Sequence, residues 1–72
     1  MAELTTAQYD ALESAITNRT RVAIYRRGAE YVVVPERLRT DRGRELLEST
    51  HPATGDRLRF FLDEVDEIEV VR

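Results

Sequence analysis

The chain of 72 residues contains no cysteine and no lysine, one histidine and two prolines. Without cysteine, neither disulfides nor thiolate metal sites can staple the fold. A single domain this small must then rely on a dense apolar core, on self-association, or on both. No apolar run approaches the length of a membrane span. The first residues, MAELTTAQ, have neither the basic start nor the apolar run of a signal peptide, so a cytoplasmic location away from membranes is expected. The lone His51 sits in a Thr-His-Pro turn with no obvious serine partner. It is expected to be an exposed turn residue, and no catalytic constellation, enzymatic activity or cofactor is expected. Asp63, Glu64, Asp66, Glu67 and Glu69 follow no calcium-loop spacing, since no glycine bend interrupts them. They read as a solvated acidic edge with no metal.

What is present is arginine, unevenly placed. The net charge of −3 divides into −3 over residues 1–18, +5 over residues 19–44 and −5 over residues 45–72. Every basic residue is arginine, whose planar guanidinium forks onto phosphate or carboxylate. The basic centre therefore has two available roles: capture of an external anion, or pairing with the acidic last third of the chain.

The hydropathy pattern implies one helix and five strands. Leu4 to Ile16 reads as an amphipathic helix, with Thr5 as N-cap and Gln8 closing a capping box. Tyr9, Leu12, Ala15 and Ile16 share one face, and Asn18 is suited to the left-handed residue that ends a helix. Arg21–Arg26 alternates as a strand does: Val22 and Ile24 face one side, Arg21, Ala23 and Tyr25 the other. Arg27-Gly28-Ala29-Glu30 is the expected hairpin connection. Tyr31–Val34 is β-branched or aromatic throughout and is expected to be covered on both faces. Pro35 cannot donate a ladder hydrogen bond and is expected to end that strand, leaving Glu36–Gly43 as a polar loop. Glu45–Ser49 forms a third strand, and Thr50–Asp56 is dense in turn formers. Arg57–Leu62 alternates again, with Leu58, Phe60 and Leu62 inward and Arg57, Arg59 and Phe61 outward. Asp63–Glu67 is an acidic turn whose Val65, with Ile68, can drop into the core, and Ile68–Val71 is the last strand. With no room for crossover helices, these strands imply an antiparallel meander. The expected fold is mainly β with one N-terminal α-helix, closed as a small five-stranded SH3-like or Sm-like barrel over residues 1–72.

The order of these pieces resembles the WYL domain, a bacterial Sm-like β-module found mostly in transcriptional regulators. The matching residues are the strand Arg21-Val22-Ala23-Ile24-Tyr25, the step Val33-Val34-Pro35-Glu36-Arg37-Leu38, and the closing segment Phe60-Phe61-Leu62-Asp63-Glu64-Val65. Together they lie within residues 11–72, over which the resemblance extends. The Trp-Tyr-Leu that names the family falls near Glu45-Leu46-Leu47, where only the leucine is kept. Phe61 and Glu64 stand where the family carries arginines. The resemblance implies a regulatory module that senses a nucleotide-like or nucleic-acid ligand in a basic pocket. With about eighteen residues before the barrel and no helix-turn-helix, it implies action alone or with a partner regulator protein.

Arg21 and Tyr25 share a strand face, as do Arg57, Arg59 and Phe61. A guanidinium beside a ring is how a nucleotide or single-stranded nucleic acid is gripped. Arg37, Arg39, Arg42 and Arg44 are expected to line the adjoining loop. The candidate ligand-binding residues are Arg21, Tyr25, Arg37, Arg39, Arg57 and Arg59, for a phosphate-bearing ligand. The alternative is an assembly module without nucleic-acid binding, a homo-oligomer pairing its sheet edges Arg57–Leu62 and Ile68–Val71.

Overall fold

A computed structural model describes residues 5–71. Helix α1 (Thr6–Asn18) precedes strands β1 (Val22–Arg26), β2 (Ala29–Asp41), β3 (Arg44–Thr50) and β4 (Arg57–Phe61). A 3-10 turn (Leu62–Glu64) then leads to β5 (Glu67–Val70). The expected class is observed: mainly β, one helix, five antiparallel strands in one sheet, ordered β4-β3-β2-β1-β5. The first four strands form a meander and β5 returns to β1. Strands β4 and β5 are the two edges, so hydrogen bonds do not close the sheet into a continuous ring. It folds over a single core, because residues of both halves, Val22, Ile24 and Val33 with Leu47 and Phe60, belong to one buried cluster. No helix among the described residues is long and apolar enough to cross a membrane.

Helix α1 starts as its sequence dictates. Gln8 N donates to Thr5 Oγ1 at 3.1 Å and Thr5 N donates to Gln8 Oε1 at 2.8 Å, completing the capping box. Leu4, the expected start of the amphipathic segment, lies outside the described residues. Leu12 and Ala15 are buried, with Tyr9 and Ile16 packed against the same cluster. The left-handed residue is Arg19 (φ 54°) rather than Asn18, which is still helical. Thr20 N donates to Ala15 O at 2.9 Å and Arg19 N to Ile16 O at 3.4 Å, a Schellman closure that satisfies the last carbonyls.

The largest departure from expectation is β2. It does not stop at Pro35 but runs on to Asp41, so Glu36–Asp41 is strand rather than loop. Pro35 pairs with Ser49, and the register then slips between Pro35 and Arg37. A bulge tolerates the missing N–H of a proline inside a sheet, and it bends the strand where the two halves of the sheet meet. The hairpin connections are also tighter than expected. Arg27 (φ 51°) and Gly28 (φ 77°) form a two-residue turn that leaves Ala29 and Glu30 in the strand. Arg42 (φ 52°) and Gly43 (φ 78°) repeat it between β2 and β3. Two successive positive φ values match the twist of the flanking strands, and glycine takes the second at no steric cost.

Strand β2 is covered on one face rather than both: Val33 is buried while Val32 is 36% exposed. The adjacent leucines of β3 split between faces. Leu47 pairs with Leu38 and Phe60 in the core, whereas Leu46 pairs with Arg39 and Phe61 on the outer face. Val65 and Ile68 both drop into the core as expected. The last strand is Glu67–Val70, one residue earlier than expected.

Candidate functional site

The fold divides the six candidate residues into two groups. Arg37, Arg39, Arg57 and Arg59 lie on the β2-β3-β4 half. Arg21 and Tyr25 lie at and on β1, with β2 and β3 between them and β4. The two groups do not form one surface.

Tyr25 sits among acids. Its register partners are Glu30 on β2 and Glu67 on β5. Its hydroxyl donates to Glu30 Oε2 at 2.8 Å and lies 3.2 Å from Glu69 Oε2. The hydrogen bond to the Glu30 carboxylate, with desolvation and the Glu69 charge added, pushes the phenol up to about 12. The two carboxylates around this hydroxyl occupy its proton and repel a phosphate. Arg21 stands just before β1, exposed, its carbonyl accepting from Val71 N at 2.9 Å.

The other four arginines meet around Glu48. In the sheet register, Glu48 on β3 lies between Arg37 on β2 and Arg59 on β4. Directly paired residues share a face, so these three form one outward row. Arg37 Nε donates to Glu48 Oε1 at 2.6 Å, and Arg39 Nη1 donates to Glu48 Oε2 at 3.2 Å. The Arg37 guanidinium, more than Arg39, holds the Glu48 carboxyl below the usual carboxylate range, and the same contact raises Arg37. Arg57 and Arg59 are exposed and have no acid partner among the described residues. Beside them lies a groove of about 260 Å³ lined by Glu36, Glu48, Ser49, Arg57, Leu58 and Arg59. Within its lining, Ser49 donates Oγ–H to Leu58 O at 3.1 Å.

The ring next to this patch is already occupied. The Arg44 guanidinium stacks 3.8 Å from the Phe61 ring centroid. It also forks onto Asp63 through Nε and Nη2, both at 2.8 Å, with Glu64 3.2 Å from Nη2. This clamp ties the start of β3 to the 3-10 turn and lowers the Asp63 carboxyl. One face of Phe61 is thus covered by the chain's own cation. His51 likewise serves its own turn, its Nδ1 accepting from Ala53 N at 3.1 Å and Thr54 N at 3.3 Å.

Sequence reasoning missed Glu48, Glu30 and Glu69. The signal for Glu48 was the Arg42-Gly43 pair. Once that is read as a hairpin turn, counting back pairs Asp41 with Arg44 and brings Arg37 opposite Glu48.

No family model matches the chain, and no curated protein matches it in sequence. Among solved structures it is similar to proteasome accessory factor B/C (PafBC) of Arthrobacter aurescens, with a TM-score of 0.73 and 20% identity. What the two share is a fold. The match covers 97% of this chain and 12% of that one, so the chain spans a small part of the larger protein's length.

Proposed function

We propose that this chain is a non-catalytic regulatory binding module of the WYL-like kind that captures a phosphate-bearing ligand, a nucleotide or single-stranded nucleic acid. The observation that carries this reading is the pair Arg57 and Arg59: two guanidiniums on one strand face, in no ion pair among the described residues, bordering a groove. Along an extended strand these side chains repeat at roughly 7 Å, an interval suited to successive anionic groups of a ligand. Arg37 and Arg39 add two further charges beside them. Arg21 and Tyr25 are left out of the proposed site, because the acids around Tyr25 oppose an anion. The fold shared with a segment of PafBC is in keeping with a module that works within or beside a larger regulator.

The reading is tested by titrating a single-stranded oligonucleotide at two salt concentrations. Binding that weakens with salt and is lost in Arg57→Ala/Arg59→Ala supports it; no binding at the lower salt overturns it.

A second reading is favoured by the edges. Edge β4 carries Arg57 and Arg59, and edge β5 carries Glu67 and Glu69, with free backbone groups on both. Opposite charge on two open edges suits head-to-tail pairing of copies. Under this reading the oligonucleotide does not bind, while a sizing column shows self-association that the same double variant abolishes.

A further inference from the structure

Glu48 stands where an anion would be bound. It is the central member of the outward row Arg37-Glu48-Arg59, and its two carboxylate oxygens are taken by Arg37 and Arg39. Its side chain is 23% exposed, so it borders solvent and can turn away without opening the core. We propose that Glu48 is the resident counter-anion of the site and determines which anions it accepts. A ligand with one anionic group engages Arg57 and Arg59 alone. A ligand with several displaces Glu48 and engages Arg37 and Arg39 as well.

The argument is one of distance and exchange. A group bound at Arg59 lies about one strand spacing, ~4.8 Å, from the row position of Glu48. A like charge that close weakens anion binding about fourfold at the dielectric of water and more at that of a protein surface, so for an exposed group a loss on the order of tenfold is expected. A ligand with a single anionic group has no means of recovering that loss, because Arg37 and Arg39 are already committed. A polyanion does, because phosphate oxygens offer a guanidinium the same acceptor geometry as a carboxylate with more charge behind it. The released Glu48 then needs only water. Selectivity for multiply charged ligands therefore arises from a negative residue inside a positive patch, rather than from an added arginine. Glu36, which also borders the groove, is the natural control: it accepts no hydrogen bond from an arginine of the site.

This inference rests on the anion-binding reading above, and the test separates the two. Inorganic phosphate and inorganic tripolyphosphate are titrated into wild type, Glu48→Gln and Glu36→Gln, following the arginine Nε–H signals by NMR. In wild type, phosphate is expected to move the Arg57 and Arg59 signals only, whereas tripolyphosphate also moves Arg37, whose Nε–H is held by Glu48. Glu48→Gln is expected to bind phosphate on the order of tenfold more tightly, and Glu36→Gln clearly less so. The counter-anion role is overturned, with anion binding intact, if the two variants behave alike or if the Arg37 signal stays still at saturating tripolyphosphate. Silence at Arg57 and Arg59 in all three proteins overturns both readings.

Discussion

Replacing Leu47 and Leu46 separately by alanine tests the register on which every placement in the sheet depends. Both are nearly inaccessible, at 0% and 5%, yet they differ in what surrounds them. Leu47 lies in the central cluster between Leu38 and Phe60, so Leu47→Ala removes buried methyl groups and leaves a hole that rigid neighbours cannot fill. Transfer and cavity terms then add, for a cost of about 3–5 kcal/mol. Leu46 lies on the outer face between Arg39 and Phe61, outside that cluster, where a flexible side chain can settle into the vacated space. Only the transfer term remains, about 1.5 kcal/mol. A domain of this size holds roughly 4–11 kcal/mol in total, so Leu47→Ala removes a large share of it. At about 4–8 °C per kcal/mol, its melting temperature should fall by at least about 12 °C, and that of Leu46→Ala by at most about half as much. Urea unfolding followed by far-UV circular dichroism measures both. A Leu46→Ala variant as destabilised as Leu47→Ala would refute the reasoning, because it would place the wrong leucine in the core.

Three further outcomes follow from the same geometry. Glu48 and Asp63 have lowered pKa values in the folded state, so their stabilising effect is present above the unfolded carboxylate range and lost as pH falls through the folded values. The urea midpoint should therefore decline from about pH 4.5 downward, and Arg44→Gln should flatten that decline; an unchanged profile in the variant contradicts the clamp on Asp63. Ultraviolet titration at the phenolate band should place Tyr25 near 12, and Glu30→Gln should bring it down, since the Glu30 hydrogen bond is the main cause of the shift. Gly43 has φ 78° with open space around its Cβ position. Gly43→Ala should cost about 1 kcal/mol by backbone strain alone, and an unaffected melting temperature would mean the turn is not left-handed there.

The sequence disclosed much of the fold because its local signals agreed with one another. The capping box at Thr5 and Gln8, the alternation of Val22 and Ile24, the inward Phe60 and the pair Val65 and Ile68 all proved to be where periodicity put them. The misreading of β2 has a physical origin. A proline inside a strand is ordinarily a terminator, and only the bulge, a property of the pairing with β3, makes Pro35 acceptable. That one residue turned half of the longest strand into an expected loop and hid the second hairpin. The candidate site was half legible for a related reason. Alternation along a strand shows which residues share a face, and it correctly grouped Arg57 with Arg59. It does not show which acid stands on the next strand. Glu48 beside Arg37, and Glu30 and Glu69 beside Tyr25, are products of register, so the acids that occupy two arginines and exclude Tyr25 were invisible until the strands were paired.

The outer face shows how an acidic chain can still present unpaired cations. Of the four arginines grouped there, two are spent on Glu48, and only Arg57 and Arg59 remain open. Both sit on the edge strand β4, whereas Glu67 and Glu69 belong to β5, the other edge in the strand order.

The most direct measurement is the affinity for a short single-stranded oligonucleotide across a series of salt concentrations, in wild type and in Arg57→Ala/Arg59→Ala. Two phosphate contacts in a single strand contribute a slope of about −1.4 to log K against log salt. The double variant should therefore lose about that much of the slope along with most of its low-salt affinity. Equal slopes in the two proteins, or no binding by wild type at low salt, would contradict the claim that this edge captures an anion.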